Sequence, residues 1–169
     1  MRVSADFSDV KDNVAVPKDD YVVRIDSVLV KPSSTKMSTL METTFIIEGG
    51  DYDGQRLRAW PIISGKSRAG DPLIPREFCN LIEAAAVDWT CAHCGASGAR
   101  AIARGTGPVE AGGNGLTKGR YFCPDCSKPF AVKDLETDDF IGRRILASVD
   151  IDTSVDPERN KFVAYHPIP

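Results

Sequence analysis

The chain has 169 residues, 42% hydrophobic content and a formal net charge of -3, enough for one domain with a real core and a small satellite. Such a charge excludes a uniformly basic body that grips duplex DNA by charge alone, so any nucleic-acid contact has to be local. No apolar run reaches the roughly 18 residues of a membrane span, and residues 1–13 lack the basic-then-apolar order of a signal peptide. The expectation is a soluble protein of the cytoplasm, or of the host cytoplasm if viral, with no membrane partner.

In chain order, residues 21–30 are rich in β-branched side chains and residues 40–48 alternate, with Met41, Thr43, Phe45 and Ile47 on one face, so both predict strands. A turn over residues 49–54 leads into a third predicted strand, 56–63. Pro72 and Pro75 break the chain, and residues 75–87 then carry Phe78, Leu81, Ile82, Ala85 and Ala86 at helical spacing, with Pro75 placed at a helix start. Residues 143–152 and 161–166 read as two last strands joined by a polar turn. The order β-β-β-α-(insert)-β-β predicts a mainly β fold: a five-stranded OB-fold barrel with one helix, formed by residues 1–90 and 134–169. The alternative is an unrelated small β-barrel or sandwich with one helix.

The insert, residues 91–133, has its own composition, with 6 basic and 2 acidic side chains and a glycine-rich centre. It begins and ends with the pairs Cys91/Cys94 and Cys123/Cys126, separated by 28 residues. Two residues between thiolates let a tight turn aim both at one ion, and the small Gly95 and Ser127 suit the bend after each pair. In a reducing compartment this spacing predicts one structural Zn2+ per chain in a closed four-cysteine zinc ribbon, with iron as the alternative ion. The rival readings are a redox Cys-x-x-Cys, two disulfides or four buried thiols, and a redox motif would leave the second pair unexplained. His93 reads as an exposed residue between ligands, and Cys79 as a small buried apolar side chain of the helix. Residues 99–104 and 118–122 predict an extended hairpin whose arms carry Arg100, Arg104, Lys118 and Arg120.

Single-stranded DNA needs cations for phosphate and an aromatic face for a base. If Leu57 and Ala59 face the interior, alternation puts Arg56, Arg58 and Trp60 together on the outer face of the third strand. Lys31 and Lys36, and Lys66 and Arg68, would then add cations at the two ends of that strip. The competing reading places Trp60 in the core, where large aromatics usually reside. No phosphate-binding glycine loop or nucleophile signature appears, and the Asp150/Asp152 pair reads as surface, so no catalytic residue and no enzyme activity is expected.

Residues 21–25 with Lys31, residues 42–57, residues 140–144 and residues 160–165 resemble a family of phage-encoded single-stranded-DNA-binding proteins with an OB-fold, known as a phage domain of unknown function. The resemblance covers most of residues 7–88 and 134–169 and implies sequence-nonspecific binding of single-stranded DNA in phage replication or recombination, with proteins of those processes as further partners. The cysteine segment departs from that family. The alternative function is a zinc-ribbon module that binds a protein of transcription or replication.

Overall fold

The computed structural model describes residues 15–66, 68–70, 73, 75–105 and 120–169, except the side chain of Arg120. The protein is mainly β, with antiparallel sheets and one α-helix. Strands β1 (Asp19–Pro32) and β2 (Ser38–Ile47) form a long hairpin. Their turn is closed by Ser33 N–H donating to Ser38 O at 2.8 Å and Lys36 N–H to Ser33 O at 2.9 Å. Alternation directs Met41, Thr43, Phe45 and Ile47 inward, and Val23 and Ile25 meet them from β1. A bulge between Ile25 and Ser27 lets β1 bend, so that it pairs with β2 and, through Asp19–Arg24, with β10 (Arg144–Asp152).

The third predicted strand is two strands. β3 (Arg56–Ala59) pairs with Thr43–Ile46, and β4 (Ile62–Gly65) pairs with the other end of β2, Ser38–Leu40. The break falls at Trp60-Pro61, because proline has no N–H to give to a ladder. Met41 N–H instead donates to Pro61 O at 2.8 Å. At Gly65 the two backbones come so close that a Cβ would lie 2.5 Å from Ser38 Cα, and only glycine fits. β11 (Arg159–His166) completes a six-stranded sheet of order β11-β10-β1-β2-β3, with β4 also on β2. Among the described residues no hydrogen-bonded ladder joins β3 to β11.

The helix α1 (Arg76–Ala84) follows Pro75 and buries Phe78, Cys79, Leu81 and Ile82. It ends where Ala86 turns to φ 51°, three residues before the satellite begins. Tyr165 of β11 donates its hydroxyl to Glu77 Oε1 at 2.6 Å, tying helix to sheet. Inside, Phe45 packs on Phe162 and Tyr165 at centroid distances of 5.0 and 5.7 Å. The acidic run 134–139 leads through a short 3-10 turn, Thr137–Phe140, that sinks Phe140 fully into the core beside Phe78. No helix among the described residues is long and apolar enough to cross a membrane.

Candidate metal centre and sheet face

The satellite starts at Trp89, slightly earlier than the cysteine spacing alone suggests. β5 (Trp89–Cys91) pairs with β6 (Ser97–Gly98) and with β9 (Val132–Lys133), and β7 (Ala103–Gly105) pairs with β8 (Arg120–Phe122). The predicted hairpin is therefore present at its base. Its tip, with Lys118, lies outside the described residues, as does the side chain of Arg120.

The two cysteine turns share one hydrogen-bond pattern. Gly95 N–H donates to Cys91 O at 3.0 Å and Ser127 N–H to Cys123 O at 2.9 Å, while Cys91 N–H donates to Ala96 O and Cys123 N–H to Lys128 O. Gly95 at φ 74° and Ser127 at φ 60° make the bends that return each chain. The four Sγ atoms lie within 4.8 Å of one another, with Cys91–Cys126 and Cys94–Cys123 both at 3.8 Å. A tetrahedral ion with metal–sulfur bonds of about 2.3 Å needs sulfur–sulfur edges of about 3.8 Å, whereas a disulfide needs about 2.05 Å. The donors thus fit one four-coordinate metal ion, and no cysteine is in a disulfide. Burial pushes the Cys91 thiol up, but the N–H groups of Cys94 and His93 and the neighbouring thiols outweigh it and bring it down to about 6. Although the Ala96 N–H favours the Cys94 thiolate, burial and the other three sulfurs raise Cys94 to about 11. A bound cation would displace the remaining protons. His93 is exposed and outside the cluster, and Cys79 is fully buried on α1 with its thiol pushed far up by burial.

Two arginines of the satellite hold it together and hold it to the body, while Lys128 and Lys133 are exposed. The Arg100 guanidinium lies 4.1 Å from the centroid of the Trp89 ring, pairs with Asp125 and donates to Ala96 O at 2.9 Å, leaving the side chain 17% exposed. Arg104 pairs with Glu83 of α1 at 3.1 Å, donates to Asn80 Oδ1 at 2.9 Å and covers the Tyr121 ring. Ile102 N–H also donates to Glu83, at 3.2 Å. Phe130 bridges Trp89 and Phe78 at 5.1 and 6.4 Å. The satellite and the main sheet therefore share one continuous core.

On the main sheet, inward Leu57 and Ala59 leave Arg56, Arg58 and Trp60 exposed, with Trp60 at 41%. Trp60 is therefore outside the core. Strand registers arrange the outer face as four rows across neighbouring strands. The first three are Arg24–Ile46–Arg56, Ser27–Thr44–Arg58 and Leu29–Glu42–Trp60, the last link being the indole N–H donated to Glu42 Oε2 at 3.1 Å. The fourth is Lys31–Leu40–Ile62. Neither Arg56 nor Arg58 makes a salt bridge among the described residues. Lys31, by contrast, donates to Glu42 Oε2. Hydrogen bonds from Lys31 and then Trp60 hold the Glu42 carboxyl below the usual range.

Lys36, Lys66 and Arg68 are exposed, but they do not bracket the strip as the sequence suggested. Lys66 N–H donates to Met37 O at 3.1 Å, and Ser38 pairs with Gly65. Both loops therefore lie at the same end, and the opposite end is occupied by Arg24, Glu48 and Arg144, with Glu48 paired at 3.3 and 2.8 Å. Glu42 and Leu29 were missed as face residues. The inward parity of Met41 and Thr43 places Glu42 on the outer side, whereas its pairing depends on register. Asp150 faces Lys18 at 3.8 Å and Asp152 faces Arg159 at 3.9 Å, and Asp152 also accepts from Ser154. Compared with known proteins, the chain matches no family model and no curated protein.

Proposed function

We propose that the protein is a non-catalytic single-stranded-DNA-binding protein on an OB-fold, stabilised by a structural zinc ion at Cys91, Cys94, Cys123 and Cys126. The order β11-β10-β1-β2-β3, with a bulged β1 shared by two partners and the helix lying between β4 and β10 in the chain, supports the OB-fold reading. In that fold the second and third strands carry oligonucleotides. The observation that carries the reading is the outer sheet face: an exposed indole beside Arg58 and Arg56, two exposed guanidinium groups that make no salt bridge among the described residues, although the Arg58 charge acts on Glu42. Phosphates attract the cations, and an unpaired base can stack on the indole where a base held in a duplex cannot. We further place the protein with the phage family it resembles, acting in replication or recombination within the host cytoplasm.

The alternative, a ribbon that binds another protein, gains from one observation. Arg100 and Arg104 are engaged with Trp89, Asp125 and Glu83, so neither is free for DNA, while Lys128 and Lys133 of the described ribbon are exposed. In the favoured reading the ribbon is a stabilising graft, and Lys118 and Arg120 of its hairpin remain proposed secondary contacts. Titrating one labelled oligonucleotide, single-stranded and as duplex, over a range of salt tests the proposal. Binding should favour the single strand and weaken as salt rises. Failure on both forms would favour the protein-binding ribbon.

A further inference from the structure

We infer that Glu42 selects bases on this face, accepting a hydrogen bond from an exocyclic amino group and so favouring cytosine over uracil at the position stacked on Trp60. The inference rests on the single-stranded-DNA reading. It starts from an anomaly, since a carboxylate at the centre of a phosphate-binding strip works against phosphate. Glu42 lies in the third row between Leu29 and Trp60. Phosphates have reason to avoid that row and follow Arg56 and Arg58 on one side and Lys36 and Lys66 on the other. Apolar Leu29, 58% exposed, and the Trp60 ring suit bases instead.

The two oxygens of Glu42 are not equivalent. Oε2 accepts both the Lys31 ammonium and the Trp60 indole N–H, and the pair of bonds fixes the carboxylate against the edge of the ring. Oε1 accepts no hydrogen bond among the described residues and is not among the buried unsatisfied atoms, so it faces solvent beside the stacking surface, with the Arg58 charge acting on the same carboxyl. An ionised carboxylate accepts hydrogen bonds and donates none. Cytosine presents its N4 amino group to such an acceptor, a pairing that geometry favours in base recognition. Uracil carries O4 at the same place, and two acceptors would then face each other without a proton between them.

The test compares oligo-dC with oligo-dU of equal length, two weakly stacking pyrimidines that differ at the edge in question. One net hydrogen bond corresponds to about a fivefold preference of the wild-type protein for dC. Glu42→Gln keeps the shape and can still accept the Trp60 N–H through its amide oxygen, while its NH2 can donate to uracil O4, so the preference should fall to about one or invert. The freed Lys31 should at the same time steepen the slope of log affinity against log salt by up to about 0.7. Equal affinity of the wild-type protein for dC and dU, a preference for dU, or a dC preference that survives in the folded Gln variant would each overturn the inference while leaving single-strand binding intact. No binding to either oligonucleotide would overturn the underlying reading and the inference with it.

Discussion

Removing the metal should melt the ribbon and leave the main sheet standing. The ribbon strands are three, two, three, three and two residues long, too short to persist on their own ladders. Its contribution to the core is a few side chains, of which Trp89 and Ile102 are almost wholly buried, each contributing about 1.5–3 kcal/mol by burial. A structural zinc site contributes about 10–16 kcal/mol of apparent binding energy, comparable with the roughly 5–15 kcal/mol that holds a whole domain together. A zinc ion bound there would therefore be the largest single term in the ribbon. β1 and β2, at 14 and 10 residues, depend on none of it. The chain has 2 tryptophans, so Trp60→Phe leaves Trp89 as sole reporter, covered by Arg100 and met edge-on by Phe130. Chelation should red-shift its emission and abolish amide protection at Cys91 and Cys123, while Val23, Phe45 and Ala147 stay protected. If elemental analysis showed the metal gone with Trp89 emission and both amides unchanged, packing alone would hold the ribbon and the reasoning would fail.

Tyr165→Phe removes the hydrogen bond to Glu77 and should cost about 1.5–3 kcal/mol in urea unfolding, as expected for a bond to a charged acceptor. Burial raises the Glu77 carboxyl and the Tyr165 hydroxyl opposes that rise. The stability linked to Glu77 is therefore full below the ordinary glutamate value and falls as pH rises through the raised one, and the Phe variant should lose more at neutral than at acid pH. Arg100→Lys should destabilise the ribbon by about 0.5–2 kcal/mol through loss of the stacked guanidinium. Its salt slope for DNA should match wild type, because Arg100 is committed to Asp125 and Trp89. Excising residues 91–132 with a short linker should leave a cooperatively folding main sheet. Its stability should fall by about 1.5–3 kcal/mol, since Phe78 loses the cover of Phe130, and aggregation without cooperative unfolding would make the ribbon an obligate part of the core.

The long strands were legible because period-two alternation survives wherever one face is buried, as at Met41 to Ile47. The four-cysteine cluster was legible because spacing alone brings two thiolates together, and the third dimension only had to bring the pairs face to face. Pro61 carried a local signal for the break between β3 and β4 that the run of apolar residues around it masked. Phe140 was hidden for the opposite reason: its acidic neighbours describe the solvent side of a turn that buries one residue. The roles of Arg100, Arg104 and Glu42 could not be read from sequence. Each depends on a partner 11 to 25 residues away, and opposite charge along a chain does not say which pairs will meet. Nor could the shared location of Lys36 and Lys66 be seen, since it follows from β4 returning to the end of β2 where the first hairpin turns.

The central claim is that single-stranded DNA lies on the outer face of β2 and β3, and salt titration of Trp60→Ala beside the double variant Arg56→Ala/Arg58→Ala tests it most directly. Circular dichroism should first establish that both are folded, as their exposure implies. Loss of the stacking surface should weaken binding by about 1–3 kcal/mol at every salt concentration and leave the slope of log affinity against log salt unchanged. Loss of two phosphate contacts should lower that slope by about 1.4. Wild-type affinity and slope in both folded variants would contradict the account and place the DNA on another surface.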